Sequence, residues 1–558
     1  VRKPYKTSDL REKLRLAPAV MILGVIFTAI IPQTALSTRW STIFTAQTVR
    51  DRLSTPQGRE EALAFCRRLH LSKVYIEVFR DGYEADPTTL KDARDFFQRA
   101  GFQVSGAVAT TRLGKPSTGW KIVACYTDRA NRMHLGHIFR DAAGLFNEII
   151  IDDFFFTDCQ CSECAAAKGS LSWQQYRKNL MLGVSRHDVL GPARQVNPHV
   201  KIILKYPQWY DQYQARGYRV SAETALYDRI WVGTELRDPS SSHWGHKQQY
   251  EGFFLYRWLT DVGGAKTGGA WFDPYGTDAT FYLDQAYVSV VAGAPEILLF
   301  NFGDLDSTHY QAQAEALMAR QENLAALAKL VGGWRGIPAY KPPSSDPGSE
   351  PYIFDEIGML GIPLLPVAEF PKGAKMALFT DHALTDAQFV TKLVQFFAQS
   401  GTAFVSEDLA HRLNGDPRLP VPDGIGLNEG EYLKTVKEKQ GEMVIFSDAL
   451  PRLAFVDAGN RIEQLTPALR LALREWREKV ATQVPTSLDA PPRVAIFPMG
   501  SGRVGVMNFT ELPVACHLAS QGSASDRLRP VFASPGASLS GDGSMLRLAP
   551  HSLLMVEE

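Results

Sequence analysis

The chain is 558 residues long, with 60 Lys+Arg balanced against 60 Asp+Glu. That length exceeds one hydrophobic core, so several domains are expected, and zero net charge leaves no field that would draw nucleic acid or an anionic membrane surface. A hydrophobic share of 45% with 22% charged residues excludes wholesale disorder, and the balance of charge favours a neutral or weakly charged ligand.

Residues 1–37 read as an address rather than as fold. Arg2, Lys3, Lys6, Arg11, Lys13 and Arg15 precede an apolar run from Ala17 to Ile31, and Ala35-Leu36-Ser37 follows as a small-residue cleavage site. This is the layout of an export signal, which implies a secreted or periplasmic protein. An uncleaved membrane anchor is the alternative, although the apolar run is short for a span.

From residue 38, short apolar strands alternate with helical stretches. Strands are expected at Ser41–Thr45, Lys73–Phe79, Gln103–Thr110, Glu148–Phe154, Val200–Tyr206, Arg229–Thr234, Gly269–Phe272 and Glu296–Asn301. Helices are expected between them, for example at Gly58–Leu69, Leu90–Ala100, Trp173–Leu190 and Asp278–Val291. This is the rhythm of a (β/α)8 TIM barrel over residues 38–345, closed by a helix at Gln311–Leu330. No glycine-rich phosphate turn follows the first strand, which argues against an open dinucleotide-binding sheet. The Pro/Ser/Gly-rich stretch Lys341–Pro351 then reads as a linker.

Residues 346–488 carry strands at Met376–Thr380 and Thr402–Ser406, helices at Asp386–Ser400 and Pro467–Gln483, and an apolar segment at Leu453–Val456. They are read as a flavodoxin-like α/β domain. Residues 489–558 alternate apolar strands (Val494–Phe497, Val504–Phe509, Met545–Leu548, Ser552–Val556) with Gly/Ser turns, the pattern of a small β-sandwich.

In a barrel the chemistry sits where the strands end. Those ends supply Glu77, Arg80 and Asp81; Asp152 and Asp153; Lys205, Tyr206 and Trp209; Glu235, Arg237 and Asp238; Trp271 and Asp273; and Asn301 and Asp304. Several carboxylates with aromatics between them, and no nucleotide motif, fit glycosidic bond cleavage, in which one carboxyl protonates the leaving oxygen and another serves the anomeric carbon. Strand alternation lets only one of Asp152 and Asp153 face the axis; Asp153 is taken as the acid/base, with Asp152 as the alternative. The second carboxylate is Asp273 or Glu235. Arg80, Lys205, Tyr206 and Asn301 are expected to bind substrate, and Glu77 either to do so or to pair with Arg80. Trp209 and Trp271 are stacking walls or core residues, while Asp158 and Asp278 are expected to cap the adjoining helix or loop. A non-catalytic carbohydrate-binding protein on a degenerate barrel is the rival reading.

Cys159-x-Cys161-x-x-Cys164, with Cys125 upstream, comes directly after strand four. Cys159 and Cys161 stand too close to pair comfortably, so four thiolates on one Zn2+ fit better than disulfides. Cys66 and Cys516 are expected to pack in cores.

On these residues the chain resembles the β-galactosidases of glycoside hydrolase family 42. The four cysteines are similar to that family's zinc site after the fourth strand, Asp152-Asp153 stand where its acid/base lies, and the order of domains is alike. The resemblance implies a structural Zn2+ outside the chemistry, a carbohydrate substrate and a trimer built through the middle domain. The chain departs from the family in having Asp-Asp in place of Asn-Glu, and Asp273 in place of a glutamate nucleophile.

Overall fold

A computed structural model describes residues 38–419, 427–438, 440–455, 466–484, 486–520 and 528–557. The expected export signal lies outside the described residues. Eight parallel strands form the first sheet: β1 Arg39–Phe44, β2 Lys73–Arg80, β3 Gln103–Val108, β4 Glu148–Ile151, β5 Lys201–Tyr206, β6 Arg229–Gly233, β7 Thr267–Phe272 and β8 Glu296–Leu299. Each pairs with the next, and β1 pairs with both β2 and β8, which closes the barrel. A two-residue strand, Tyr83–Glu84, adds an antiparallel fringe to β2.

Alternation along these strands sorts the side chains. Ile43, Tyr75, Ala107, Ile150, Ile203, Trp231, Trp271 and Leu298, one from each strand, fill the barrel interior as a cluster of their own. Their outward neighbours, such as Ile149, Ile151, Ile202 and Leu204, join the larger core under the helices. A Cβ at Gly269 would stand 2.5 Å from the Trp231 indole, so the bulk of Trp231 on β6 requires a glycine at this position on β7. At the N-terminal end of the barrel, Lys73 binds Glu148 at 2.7 Å and Glu296 at 3.2 Å, and both carboxylates accept serine hydroxyls.

The surrounding helices start where their caps dictate. Thr55 and Asp86 accept amide bonds at the heads of α1 (Pro56–Arg68) and α2 (Pro87–Arg99), each with proline in its first turn. The helix expected over Gln311–Leu330 is two, Gln311–Met318 and Gln321–Ala328.

The second sheet is ordered β10-β9-β11-β12-β14-β13, from β9 Ile337–Tyr340, β10 Leu364–Val367, β11 Met376–Phe379, β12 Thr402–Ser406, β13 Leu433–Glu438 and β14 Gly441–Phe446. Only the edge strand β13 runs antiparallel. β9 lies within the span assigned to the barrel yet belongs to this sheet. The expected linker at Lys341–Pro351 is instead packed, with Lys341, Ser345 and Glu350 buried. Leu453 to Phe455 belong to a 3-10 turn, not a strand; Val456 lies outside the described residues.

Two antiparallel four-stranded sheets complete the chain. One contains β15 Thr486–Asp489, β18 Val514–Ser520, β20 Ala537–Leu539 and β21 Leu546–Leu548; the other contains β16 Val494–Pro498, β17 Arg503–Asn508, β19 Arg529–Ala533 and β22 Leu553–Glu557. Leu488, Val514, Cys516 and Leu546 from the first share an apolar cluster with Ile496, Val506 and Leu554 from the second.

Candidate active site

A cavity of about 690 Å3 opens at the C-terminal end of the barrel. It is lined by Asp152, Asp153, Glu235, Asp273, Arg80, Lys205, Trp209, Trp271 and Asn301, so eleven expected residues reduce to nine at one surface. The two exceptions have plain causes. Tyr206 follows the inward-facing Lys205 by one residue, so alternation turns it out to the helix layer, where its hydroxyl meets Glu223 at 3.2 Å. Glu77 is fully buried behind Arg80, accepting its Nε at 2.8 Å and the Ala46 amide at 2.9 Å.

The expectation that only one of Asp152 and Asp153 faces the axis is corrected. β4 ends at Ile151, and past its end the two-residue alternation no longer applies. Both aspartates reach the cavity and both approach one ammonium: Lys205 Nζ lies 3.6 Å from Asp152 Oδ1 and 2.9 Å from Asp153 Oδ2, and it also binds Glu235 Oε1. Arg80 Nη2 holds the other Asp152 oxygen at 2.5 Å, and the Asp153 amide donates to Asp152 Oδ1 at 2.8 Å.

These contacts push the two aspartates apart. Burial opposes ionisation of Asp152, but Lys205 and Arg80 outweigh it and hold its carboxyl below the ordinary range. Burial also dominates at Asp153; Lys205 pulls the other way, yet the charges of Asp152 and Glu235 add to burial, and the carboxyl lies well above its ordinary value. Glu235 is raised too, by burial and by Asp273, against Lys205 and Arg237. Divergent values in one cavity are what acid/base division of labour requires.

Across the cavity, Asp273 takes both forks of Arg237 at 2.8 and 2.9 Å and accepts the Tyr275 amide at 2.9 Å. Asp304 binds the Tyr275 hydroxyl and Asn301 Nδ2, and all three line the cavity. Trp271 forms the floor, stacked on Phe300 at 5.3 Å with the Lys205 ammonium 4.3 Å over its ring. Trp209 is half-buried against Phe156. Asp238 turns away and accepts from Ser240.

Several lining residues escaped the sequence reading, among them Gln47, Gln208, His243, Tyr275 and above all Trp120. Trp120 lies in the turn-rich segment KPSTGWK, which has no periodicity to mark a strand or helix end.

The four cysteines converge beside this cavity. Cys125 Sγ lies 3.5 Å from Cys164 and 3.9 Å from Cys161, Cys161 lies 3.6 Å from Cys164, and all four sulfurs fall within 4.8 Å of one another. Tetrahedral Zn–S bonds of about 2.3 Å require sulfurs about 3.8 Å apart, so the quartet fits that ion. None of the six cysteines is in a disulfide, and Cys66 and Cys516 are buried as expected.

A barrel with a carboxylate-rich, aromatic-lined mouth is the architecture of a glycosidase, and comparison with known proteins agrees. Residues 30–325 match the model of the probable glycosyl hydrolase catalytic domain, and the chain belongs to that family. It is 28% identical over 392 residues to an uncharacterised protein of Saccharolobus solfataricus, a match spanning 64% of each chain. In fold it is similar to Gan42B, a GH42 β-galactosidase from G. stearothermophilus, at a TM-score of 0.60 and 13% identity over 94% of this chain and 98% of that one. It is equally similar to α-L-fucosidase isoenzyme 2 from Paenibacillus thiaminolyticus, with a TM-score of 0.60 and 11% identity over 94% of this chain and 100% of that one. The likeness to family 42 is thus one of fold, at 13% identity.

Proposed function

We propose that the chain hydrolyses O-glycosidic bonds of oligo- or polysaccharides, with Asp153 as the proton carrier and Asp273 as the carboxylate at the anomeric carbon. The observation that carries this reading is the meeting of Asp152, Asp153 and Glu235 at one ammonium in a cavity that Asp273 also lines. Lys205 and Arg80 favour the charged form of Asp152, while burial and neighbouring charge favour the protonated form of Asp153. β4 and β7 stand three places apart around the barrel, and Asp153 and Asp273 line one cavity between them. Asp153 passes its proton to the glycosidic oxygen as the C–O bond breaks. Asp273, oriented by Arg237, supplies negative charge to the oxocarbenium-like carbon. Asp153, now a carboxylate, then takes a proton from the water whose oxygen bonds to the anomeric carbon, which completes hydrolysis and restores the acid. Glu235 shares Lys205 with Asp153 and orients that ammonium, and Asp152 is a fixed counter-charge.

The sheet order favours a flavodoxin-like middle domain: its five parallel strands run 2-1-3-4-5 when taken in sequence order. The shared apolar cluster favours a C-terminal sandwich. The quartet is read as a closed structural Zn2+ site held by Cys125, Cys159, Cys161 and Cys164, with no coordination position left for substrate. Export to the periplasm or beyond, and a trimer, complete the reading on the strength of residues 1–37 and of the family 42 resemblance.

Hydrolysis of p-nitrophenyl β-D-galactoside and p-nitrophenyl α-L-fucoside, named by the structural neighbours' specificities, is the first assay. Asp153→Asn is expected to lower kcat by about 100-fold or more on these substrates. It should lose far less on a dinitrophenyl glycoside, whose leaving group needs no proton. Asp273→Asn should fail on both. Wild-type turnover by both variants would overturn the assignment.

A further inference from the structure

Trp120 is the most exposed of the described tryptophans, 47% accessible, and it lines the cavity. Its ring lies against Phe156 at 5.9 Å and Phe154 at 5.6 Å, and nearly half of its surface stays accessible. An exposed indole over a polar cavity offers the apolar face of a sugar ring a surface to stack on.

The loop that carries it is tied at both ends to the cysteine quartet. At its base, the Cys125 amide donates to Lys115 O at 3.0 Å, and Pro116 bridges to Ala124. At its tip, Asp158, the residue before Cys159, accepts the Trp120 amide on both oxygens at 3.1 and 3.0 Å and the Ser117 hydroxyl at 2.5 Å. Arg216 pairs with the same carboxylate at 2.5 Å, and Arg177 holds the Asp158 carbonyl at 2.8 Å. Thr118 meets Cys159 Sγ at 3.8 Å and accepts the Gln160 amide at 2.7 Å. The cysteines thus share a hydrogen-bonded unit with the wall of the cavity.

We infer that Trp120 is a substrate-stacking wall, that Asp158 is its positioning residue, and that filling the quartet with a divalent metal sets affinity for substrate rather than the rate of bond cleavage. The stacking half rests on the glycosidase reading; the link between quartet and Trp120 does not.

The test uses the full chain, zinc-loaded and chelator-stripped, with circular dichroism as the check on folding. Two readouts are followed: acrylamide quenching of tryptophan fluorescence, and kcat and KM on the better of the two p-nitrophenyl glycosides. Trp120→Ala should raise KM about tenfold, the size of one lost stacking contact, with kcat changed less than about twofold. Trp120→Phe should recover most of that loss. Asp158→Asn, which leaves every thiolate in place, should raise KM several-fold and increase quenching. Stripping zinc from the wild type should do the same, whereas in Trp120→Ala it should leave KM unmoved and change quenching less, by what Trp173 beside the quartet contributes. An unchanged KM in Trp120→Ala, or an equal response to stripping with and without Trp120, overturns the inference. If no glycoside is cleaved, the glycosidase reading fails, and the change in quenching on stripping the wild type, compared with the change on stripping Trp120→Phe, still decides the link.

Discussion

The ammonium of Lys205 stands among the carboxylates of Asp152, Asp153 and Glu235, with the Trp271 ring beneath it. Burial alone would strip its proton, but the three carboxylates more than reverse that and hold it charged. Replacing it, as in Lys205→Met, removes the main force that lowers the Asp153 carboxyl, so that carboxyl rises further. Catalysis needs Asp153 protonated, a condition met below its folded pKa and lost above it. The alkaline limb of the pH–rate profile should therefore move to higher pH, and an unmoved limb would show that Asp153 is not the acid. The variant should also lose about 3–5 kcal/mol of stability at neutral pH, measured by urea denaturation, because buried carboxylates lose their shared partner. The loss should shrink in acid as those groups take up protons. Lys205 and Tyr206 also mark how far single residues could be read. Both stand at a strand end, but only a count from the inward Ile203 tells which of the two faces the axis. Asp152 and Asp153 defeated the same count because the strand stops one residue earlier.

The segment from β4 through Cys164 is the element in which chemistry and architecture meet. Its strand was legible because a β-branched apolar run has few other fates in a parallel sheet. Its cysteines were legible because their spacing admits few other uses. Asp158 was expected only to cap the adjoining helix or loop, whereas it holds a loop some forty residues upstream, a contact with no local signature. Thr127, within hydrogen-bond reach of Cys164 Sγ at 2.9 Å and of the Tyr176 hydroxyl at 2.6 Å, supports the quartet from behind. Thr127→Val should weaken Zn2+ binding by about tenfold in competition with a chromophoric chelator, without removing a ligand. Undiminished affinity would mean that the hydroxyl does not support the thiolate. Elsewhere β13, LKTVKE, escaped notice, because an edge strand rich in Lys and Glu lacks the apolar alternation that marks an interior one.

At the scale of the whole molecule, two buried polar clusters join units that the sequence treats as separate. Asp211, from the loop after β5, binds Lys341 at 3.0 Å and His382 at 3.3 Å, which secures the second sheet to the barrel. His551, from the C-terminal sheets, contacts Asp284 on the barrel helix Ala279–Val291 at 2.7 Å and Glu511 at 3.0 Å. Burial disfavours the imidazolium, but Asp284 and Glu511 outweigh burial and raise His551 from its ordinary 6.5 to about 9. A raised value means that the contact stabilises fully below about pH 6.5 and fades as pH rises through about 9. Tm should fall between about pH 6 and about pH 9.5 by more in the wild type than in His551→Gln, and equal falls would exclude the latch. The sequence by itself determined the barrel, the order of the units, the carboxylate-rich rim and the cysteine quartet, because periodicity, strand ends and ligand spacing are local. Only the tertiary structure decided that Asp152, Asp153 and Glu235 share one ammonium, that the supposed linker is packed through Lys341, Ser345 and Glu350, and that Trp120 reaches the cavity. Those outcomes depend on which distant surfaces meet when the barrel closes, and no short window of residues encodes that.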